Sequence, residues 1–456
     1  MTNFVFSRRK IQECINALVP SLDGSQLAAL VSRLNARNAS RLDAMWEVAI
    51  FSALSKVGDL QHEKALTNGR RPDISWNIKK LDGSNLTIIG DITTISDDGL
   101  EDQNPFKLVS QEIIRIASKA GLRPGSFWVD ARGETVGQPH KSKMRLILPE
   151  KASLIKFIQN ELEPWIYSIK NNSTTKLIFE STLPSNALKV IYDPNWKNGG
   201  GSYTSYTVAT SKSINPLFSA LKGKIKQLNG APDNAIRIIF ACDGGCNLIR
   251  QGAKGKSLYT YNSIEVAEDF LRQNSSIDFI LLSTIDEHHH PFGLPTKYNM
   301  SYELVCAPTK FRSARVTAES IDTITKALTL ALQNIPQPLR PAYHAATLLK
   351  KAGVGRDQLG GHSMQGNKIT ISSRGLIKFL AGEISAEEFN KAHGWEHSGI
   401  YQNPFIRHLK SGLMISDIEV ISGADKDDDE VTFTIDKWDA ANMPFAAPNA
   451  DEKHNA

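Results

Sequence analysis

Residues 70–96, RRPDISWNIKKLDGSNLTIIGDITTIS, hold two strand-like runs on either side of Asp82-Gly83. Asp-Gly between such runs is a strong hairpin signal, because the tight turn needs a positive φ that glycine adopts freely. A hairpin centred near Asp82 sets Asp73 opposite Asp91. Side chains alternate along a strand, so Ile89, Asp91, Thr93 and Ile95 share one face. Directly opposed residues have Cβ atoms about 4.5–5.5 Å apart, and like charges there repel. A hard divalent cation that accepts both carboxylates removes the repulsion. A register shifted by one residue would instead turn one aspartate to solvent.

Upstream, residues 40–57 carry Leu42, Met45, Trp46, Ala49, Ile50, Ala53, Leu54 and Val57 at helical spacing. Glu47 lies beside this apolar stripe and Asp43 shares its edge, which brings a third acid to the helix–sheet boundary. A solvated helix flank is the alternative reading. Strands are expected at 58–65, 72–78 and 86–96, then a helix at 105–120 and strands at 126–131 and 143–148. The order is helix, three strands, helix, strand.

An acid on a first helix (Glu47), Pro72-Asp73 opening a strand and Asp91 on the next resemble the PD-(D/E)XK nuclease superfamily, over about residues 40–132. The resemblance implies a restriction-endonuclease-like αβββαβ core. It also implies a Mg²⁺ or Mn²⁺ ion on Asp73 and Asp91, assisted by Glu47, that activates water against a phosphodiester. The lysine of the motif falls on Thr93, which carries no charge. Lys64, Lys107 and Lys119 are candidates to replace it, and Gln111 and Glu112 could also meet the site. The expected function is hydrolysis of DNA phosphodiesters, with restriction or anti-phage defence as a setting by analogy. The competing expectation is a catalytically inactive nucleic-acid-binding or scaffold subunit of a multi-protein complex. DNA against RNA stays open, as do protein partners and a homo-oligomer.

Beyond this core, a helix at 152–169 leads into strands near 176–180, 187–192 and 203–209. A helix at 215–228 and a strand at 235–241 follow, then a helix at 263–273 and strands at 277–283 and 302–307. Strands alternating with helices mark an α/β region with some parallel pairing. The expected fold class is mixed α/β, with N-terminal helices (1–39), a nuclease-like core (40–150), a second basic α/β region (151–315), a mainly helical region (316–442) and a disordered tail (443–456). Whether the second region extends the first sheet is open.

The chain has 456 residues and a net charge of +5, unevenly spread. From Asp417 onward 11 acids face three lysines, so that end carries −8 and the rest +13. Residues 201–257, Lys254 and Lys256 included, hold +6 of that excess. In the 215–228 helix, Leu217, Leu221, Ile225 and Leu228 form a buried stripe, and Lys222, Lys224 and Lys226 are expected to project outward. Such a face gains phosphate affinity through counterion release, so these lysines, with Arg70 and Arg71, are the candidate nucleic-acid contacts. Tyr203, Tyr206, Tyr259 and Tyr261 could stack on bases or fill a core. The acidic run 425–430 is expected as an exposed loop between strands at 415–421 and 431–438.

Four cysteines are too few and too scattered for a disulfide framework, and no apolar run reaches bilayer length, so a cytoplasmic protein without a membrane partner is expected. Cys242-Asp-Gly-Gly-Cys246 has no second cysteine pair for zinc and reads as a glycine turn. His288-His289-His290 reads as a polar loop. Gly255-Lys256-Ser257 lacks the first glycine of a phosphate loop.

Overall fold

The computed structural model describes the chain apart from residues 1–3, 37, 39, 81, 139–140, 171–173, 182, 184, 252–259, 290–295, 352–361, 398–399, 402, 424–426 and 438–456. The fold is mixed α/β, with several separate sheets. Lys254, Lys256, Tyr259 and the expected tail 443–456 lie outside the described residues.

Helices α1 (Arg8–Leu18), α2 (Gly24–Asn35) and α3 (Ser40–Ser55) come first. The apolar stripe of α3 is so wide that only Ser40, Asp43, Glu47 and Ser55 are not fully buried. Enclosing side chains such as Ile50 and Phe51 contributes about 1.5–3 kcal/mol each, which makes α3 a rigid support for the two acids on its open edge. Strands β1 (Asp59–His62), β2 (Ile74–Lys79) and β3 (Asn85–Ile95) then pair antiparallel in chain order. At the β2–β3 turn Gly83 takes φ 82°, and Asp82 Oδ1 accepts from the Ser84 backbone N–H at 2.8 Å. The ladder runs from Lys79↔Asn85 to Ile74↔Gly90, so the same register carried one residue further sets Asp73 against Asp91.

After β3 the chain leaves this sheet. It forms α4 (Asp98–Gln103), α5 (Phe106–Lys119), β4 (Phe127–Ala131), β5 (Gly133–Val136) and β6 (Lys143–Leu146). Next come α6 (Lys151–Phe157), α7 (Glu163–Ile169), β7 (Leu177–Glu180), β8 (Leu188–Tyr192) and β9 (Gly200–Tyr203). Strands β7, β8, β4 and β9 make their own sheet over a separate core that includes Phe106, Ile113, Val129 and Ile166. The chain returns through α8 (Pro216–Leu228) to β10 (Ile236–Asp243), which lies parallel to β3. After α9 (Asn247–Gln251) and α10 (Ser263–Gln273), β11 (Phe279–His288) pairs parallel to β10 and β12 (Lys297–Cys306) closes the sheet antiparallel. The order is β1-β2-β3-β10-β11-β12. One face of β3 (Leu86, Ile88, Ile92) joins a core with α1, α3 and α11 (Ala318–Leu332); the other (Ile89, Ile95) packs with α8 and α10.

Several expectations are corrected. The helix at 105–120 and the strand at 126–131 form, but in the other sheet; α8 and β10 complete the first one. Consecutive elements are usually neighbours in space, and nothing in the residue pattern marks the insertion between β3 and α8. The line drawn at residue 150 therefore falls inside the inserted unit, and strands of the second region extend the first sheet. The expected helix at 152–169 is interrupted by a π-helical turn over Ile158–Leu162, just before Pro164, whose missing N–H breaks the helical ladder. The strand expected at 203–209 lies earlier, at β9, where glycines permit close approach: a Cβ on Gly201 would sit 2.7 Å from the Val129 carbonyl oxygen.

Among the described residues from 316 onward helix outweighs strand, but the region is not helical alone. After α11 and α12 (Ala342–Lys351) it forms a four-stranded antiparallel sheet of His362–Gln365, Lys368–Ser372, Glu430–Lys437 and Leu413–Ile421. Every residue of His362–Gln365 is exposed, so no apolar alternation announces that strand. Nor are residues 427–430, the described part of the acidic run, exposed. Asp427 is 6% exposed and pairs with Arg8 and Arg374, while Asp429 pairs with Arg9. The cysteines Cys14, Cys242, Cys246 and Cys306 are all free thiols. Cys242 is the penultimate residue of β10, and in the turn that follows Asp243 Oδ1 accepts from the Gly245 and Cys246 N–H groups. Among the described residues no helix is long and apolar enough to cross a membrane.

Candidate functional site

Asp73, directly before β2, and Asp91, in the second half of β3, stand opposite each other between interior strands of the six-stranded sheet. Asp91 is fully buried on the α8 face of β3, and its carboxyl group is a hydrogen-bonding neighbour of the Asp73 carboxyl. Asp73 is fixed from two sides: its Oδ2 accepts from the Ile92 backbone N–H at 2.8 Å, and its carbonyl oxygen lies 2.9 Å from Nδ1 of the buried His62. From α8, Lys224 Nζ donates to Asp91 Oδ1 at 2.5 Å. Asp91 Oδ2 has no hydrogen-bond donor, although it is buried.

Glu47 stands on α3, which packs on the opposite face of β3, and is gripped by Arg33 of α2, whose Nη1 donates to Oε1 at 2.7 Å and whose Nη2 reaches Oε2. Asp43, one turn earlier on α3, accepts a hydrogen bond from the Thr94 hydroxyl. Burial raises the pKa of Glu47, against the lowering pull of Arg33, and raises that of Asp43 as well. Burial, followed by the Asp73 carboxyl, pushes Asp91 up to about 8, while Lys224 pulls it down. A buried acid whose pKa is raised by burial and by a second carboxyl beside it is a pattern common at functional sites.

The placement of Lys224 corrects the sequence reading. Lys222 and Lys226 are exposed, as expected, but Lys224 turns inward with 21% of its side chain exposed. Its position carries the signal: it lies three residues after Leu221 and four before Leu228, on the buried stripe, whereas 222 and 226 do not. Of the expected replacements for the missing lysine, Lys64 and Lys119 are exposed, and Lys107 pairs with Glu101. Gln111 is exposed and Glu112 pairs with Arg115, so neither meets the site. Thr93 stands half-buried on the Asp91 face and contributes no charge. Arg70 and Arg71 are exposed just before Pro72-Asp73. His62 and Arg33 are the positioning residues that sequence reasoning missed; neither sits in a recognisable motif.

The donor set suits a hard cation in part. The orphaned Asp91 Oδ2 and the adjoining Asp73 carboxylate are oxygen donors of the right kind, and Mg²⁺ is commonly held by one or two carboxylates plus water and substrate phosphates. Among the described residues, however, no group of three or more His, Cys, Asp and Glu side chains could hold a metal ion, and Glu47 is paired with Arg33. Comparison with family models, with curated proteins and with solved structures finds no match to this chain.

The Arg33–Glu47 pair makes a separable prediction. Glu47 is 13% exposed, so Arg33→Ala strands an enclosed carboxylate and is expected to lower unfolding free energy by about 1–3 kcal/mol. Glu47→Gln removes the charge together with the need for its partner and is expected to cost less. Urea titrations of the two variants give the order; a larger loss in Glu47→Gln would contradict it.

Proposed function

We propose that this chain is a metal-dependent nuclease on a restriction-endonuclease-like core, with Lys224 in place of the lysine that Thr93 lacks. The observation that carries this reading is Asp91, buried beside the Asp73 carboxyl with one oxygen on Lys224 and the other without a donor. The topology supports it: with the inserted unit set aside, α3, β1, β2, β3, α8 and β10 follow in the αβββαβ order. Asp73 and Asp91 would hold Mg²⁺ or Mn²⁺, which when bound supplies hydroxide near neutral pH and stabilises charge on phosphoryl oxygens. Lys224 brings a fixed positive charge and up to three N–H donors to the same point, suited to orienting a water or a phosphate oxygen. Arg70, Arg71, Lys222 and Lys226 are exposed and free to hold backbone phosphates, contacts that position a strand without reading its sequence.

A non-catalytic binding module is favoured by one observation: Glu47 and Asp91 are each already paired with a cation of the chain itself. Plasmid cleavage with Mg²⁺ or Mn²⁺ separates the two. Wild type is expected to nick and Asp91→Asn to be inactive. Equal nicking by both would remove the proposed site, and binding with a steep salt dependence but no cleavage by wild type would establish the binding module.

A further inference from the structure

Next to the carboxylates a cavity of about 430 Å³ opens between the end of β3, the first turns of α8 and the inserted unit. It shares both supports with the acid cluster. Ser219 and Ala220 line it one helical turn before Lys224, about 6–7 Å along the axis. Thr94, the partner of Asp43, lines it three residues beyond Asp91, about 10 Å along the strand.

The lining suits a neutral heteroaromatic ring rather than an anion. Ile95, Leu100, Val208, Ile214 and Leu248 give apolar walls. Gln103 and Thr207 offer hydrogen-bonding groups, and Lys143, the one charged lining residue among those described, donates to Gln103 Oε1 at 2.7 Å. Tyr206 also lines the cavity. Its ring lies 5.6 Å from that of Tyr203, which is 46% exposed and 4.6 Å from Phe106. Phe106 and Tyr206 are themselves buried, at 7% and 4% exposure, so the aromatic face open to a stacking base is that of Tyr203, beside the cavity wall that Tyr206 helps to form. The volume lies within the 300–1,000 Å³ range of small-ligand pockets.

We propose that this cavity receives one unstacked base of a single-stranded nucleic acid whose backbone lies at Asp73 and Asp91. The assignment rests on the nuclease reading for its substrate class. A base inside a duplex would first have to be extruded, an unstacking cost that a single strand largely avoids.

Fluorescence anisotropy with a short labelled oligothymidylate, and with its duplex, tests this in EDTA, where nothing is cleaved. Wild type is expected to prefer the single strand by about tenfold, within the roughly 5- to 150-fold that base–aromatic stacking contributes per base. Ser219→Trp, at an exposed position on the cavity rim, is expected to abolish that preference and leave duplex affinity unchanged. Gln103→Leu, also exposed, is expected to weaken single-strand binding without a change in melting temperature. Equal affinity of wild type for both forms would overturn the assignment, as would an unaltered preference in Ser219→Trp. Competition by thymidine monophosphate as strong as by the oligomer would also overturn it, since the cavity would then be a free-nucleotide site. Failure of the nuclease reading shows separately, as absence of cleavage with metal present; a base preference that persists there keeps the cavity assignment within a binding module.

Discussion

Lys224→Ala is expected to reduce metal-dependent plasmid cleavage by about 100- to 1,000-fold, the range found when one preorganised charge-stabilising donor is removed. Lys222→Ala and Lys226→Ala, on the same helix, are expected to act through affinity alone. The contrast follows from where each ammonium stands. Lys224 Nζ is on Asp91 Oδ1, at the point where charge would develop, whereas its neighbours are exposed and available only to phosphates at a distance. In kinetic language, Lys224→Ala should lower kcat, while the other two should raise KM and flatten the salt dependence of binding. Removing Lys224 also leaves Asp91 without its cation, so a melting curve is needed beside the rate. Loss of activity in a protein that still melts cooperatively assigns the effect to chemistry. Comparable kcat for all three variants would return Lys224 to the basic surface and leave the site without its cation.

How much of this was legible in the sequence depends on the range of the interaction. The Asp82-Gly83 turn and the two-residue alternation of the following strand are local, and they set the register that brings Asp73 to Asp91. The helical spacing of residues 40–57 was equally local, and it placed Asp43 and Glu47 on the one edge of α3 that stays open. What failed was connection. A whole unit with its own core sits between β3 and α8, so the helix that completes the sheet was taken for part of a separate region. Lys224 went unrecognised for the same reason: with α8 unassigned to the sheet, a lysine on its apolar stripe had no carboxylate to face. The acidic run near the C-terminus was read by its charge density, yet its partners Arg8 and Arg9 lie at the opposite end of the chain.

Asp91→Asn is expected to stabilise the metal-free protein at alkaline pH. An aspartate in the unfolded chain titrates near 3.9. In the folded protein, burial and the Asp73 carboxyl raise Asp91 to about 8. Between these values the folded state holds a proton that the unfolded state has lost, so this group's contribution to stability declines as pH rises from about 4 to 8 and is level above that. Asparagine cannot ionise and has no such decline. At pH 5 the two proteins should therefore be close in stability, whereas at pH 8.5 the variant should be more stable by about 2–4 kcal/mol, or several degrees in Tm. Part of the gain is offset because Lys224 loses its partner, although at 21% exposure its ammonium can turn toward water. Divalent cation acts in the opposite direction. On the proposed reading Mg²⁺ would bind the ionised carboxylates of the folded chain, so it should raise the Tm of wild type at pH 8.5 in a concentration-dependent way and leave Asp91→Asn unmoved. The same charge that weakens the empty fold would thus be the one the cation needs. A wild-type Tm that rises between pH 5 and 8.5 in parallel with the variant's, with no response to Mg²⁺, would remove Asp91 from any metal-holding role.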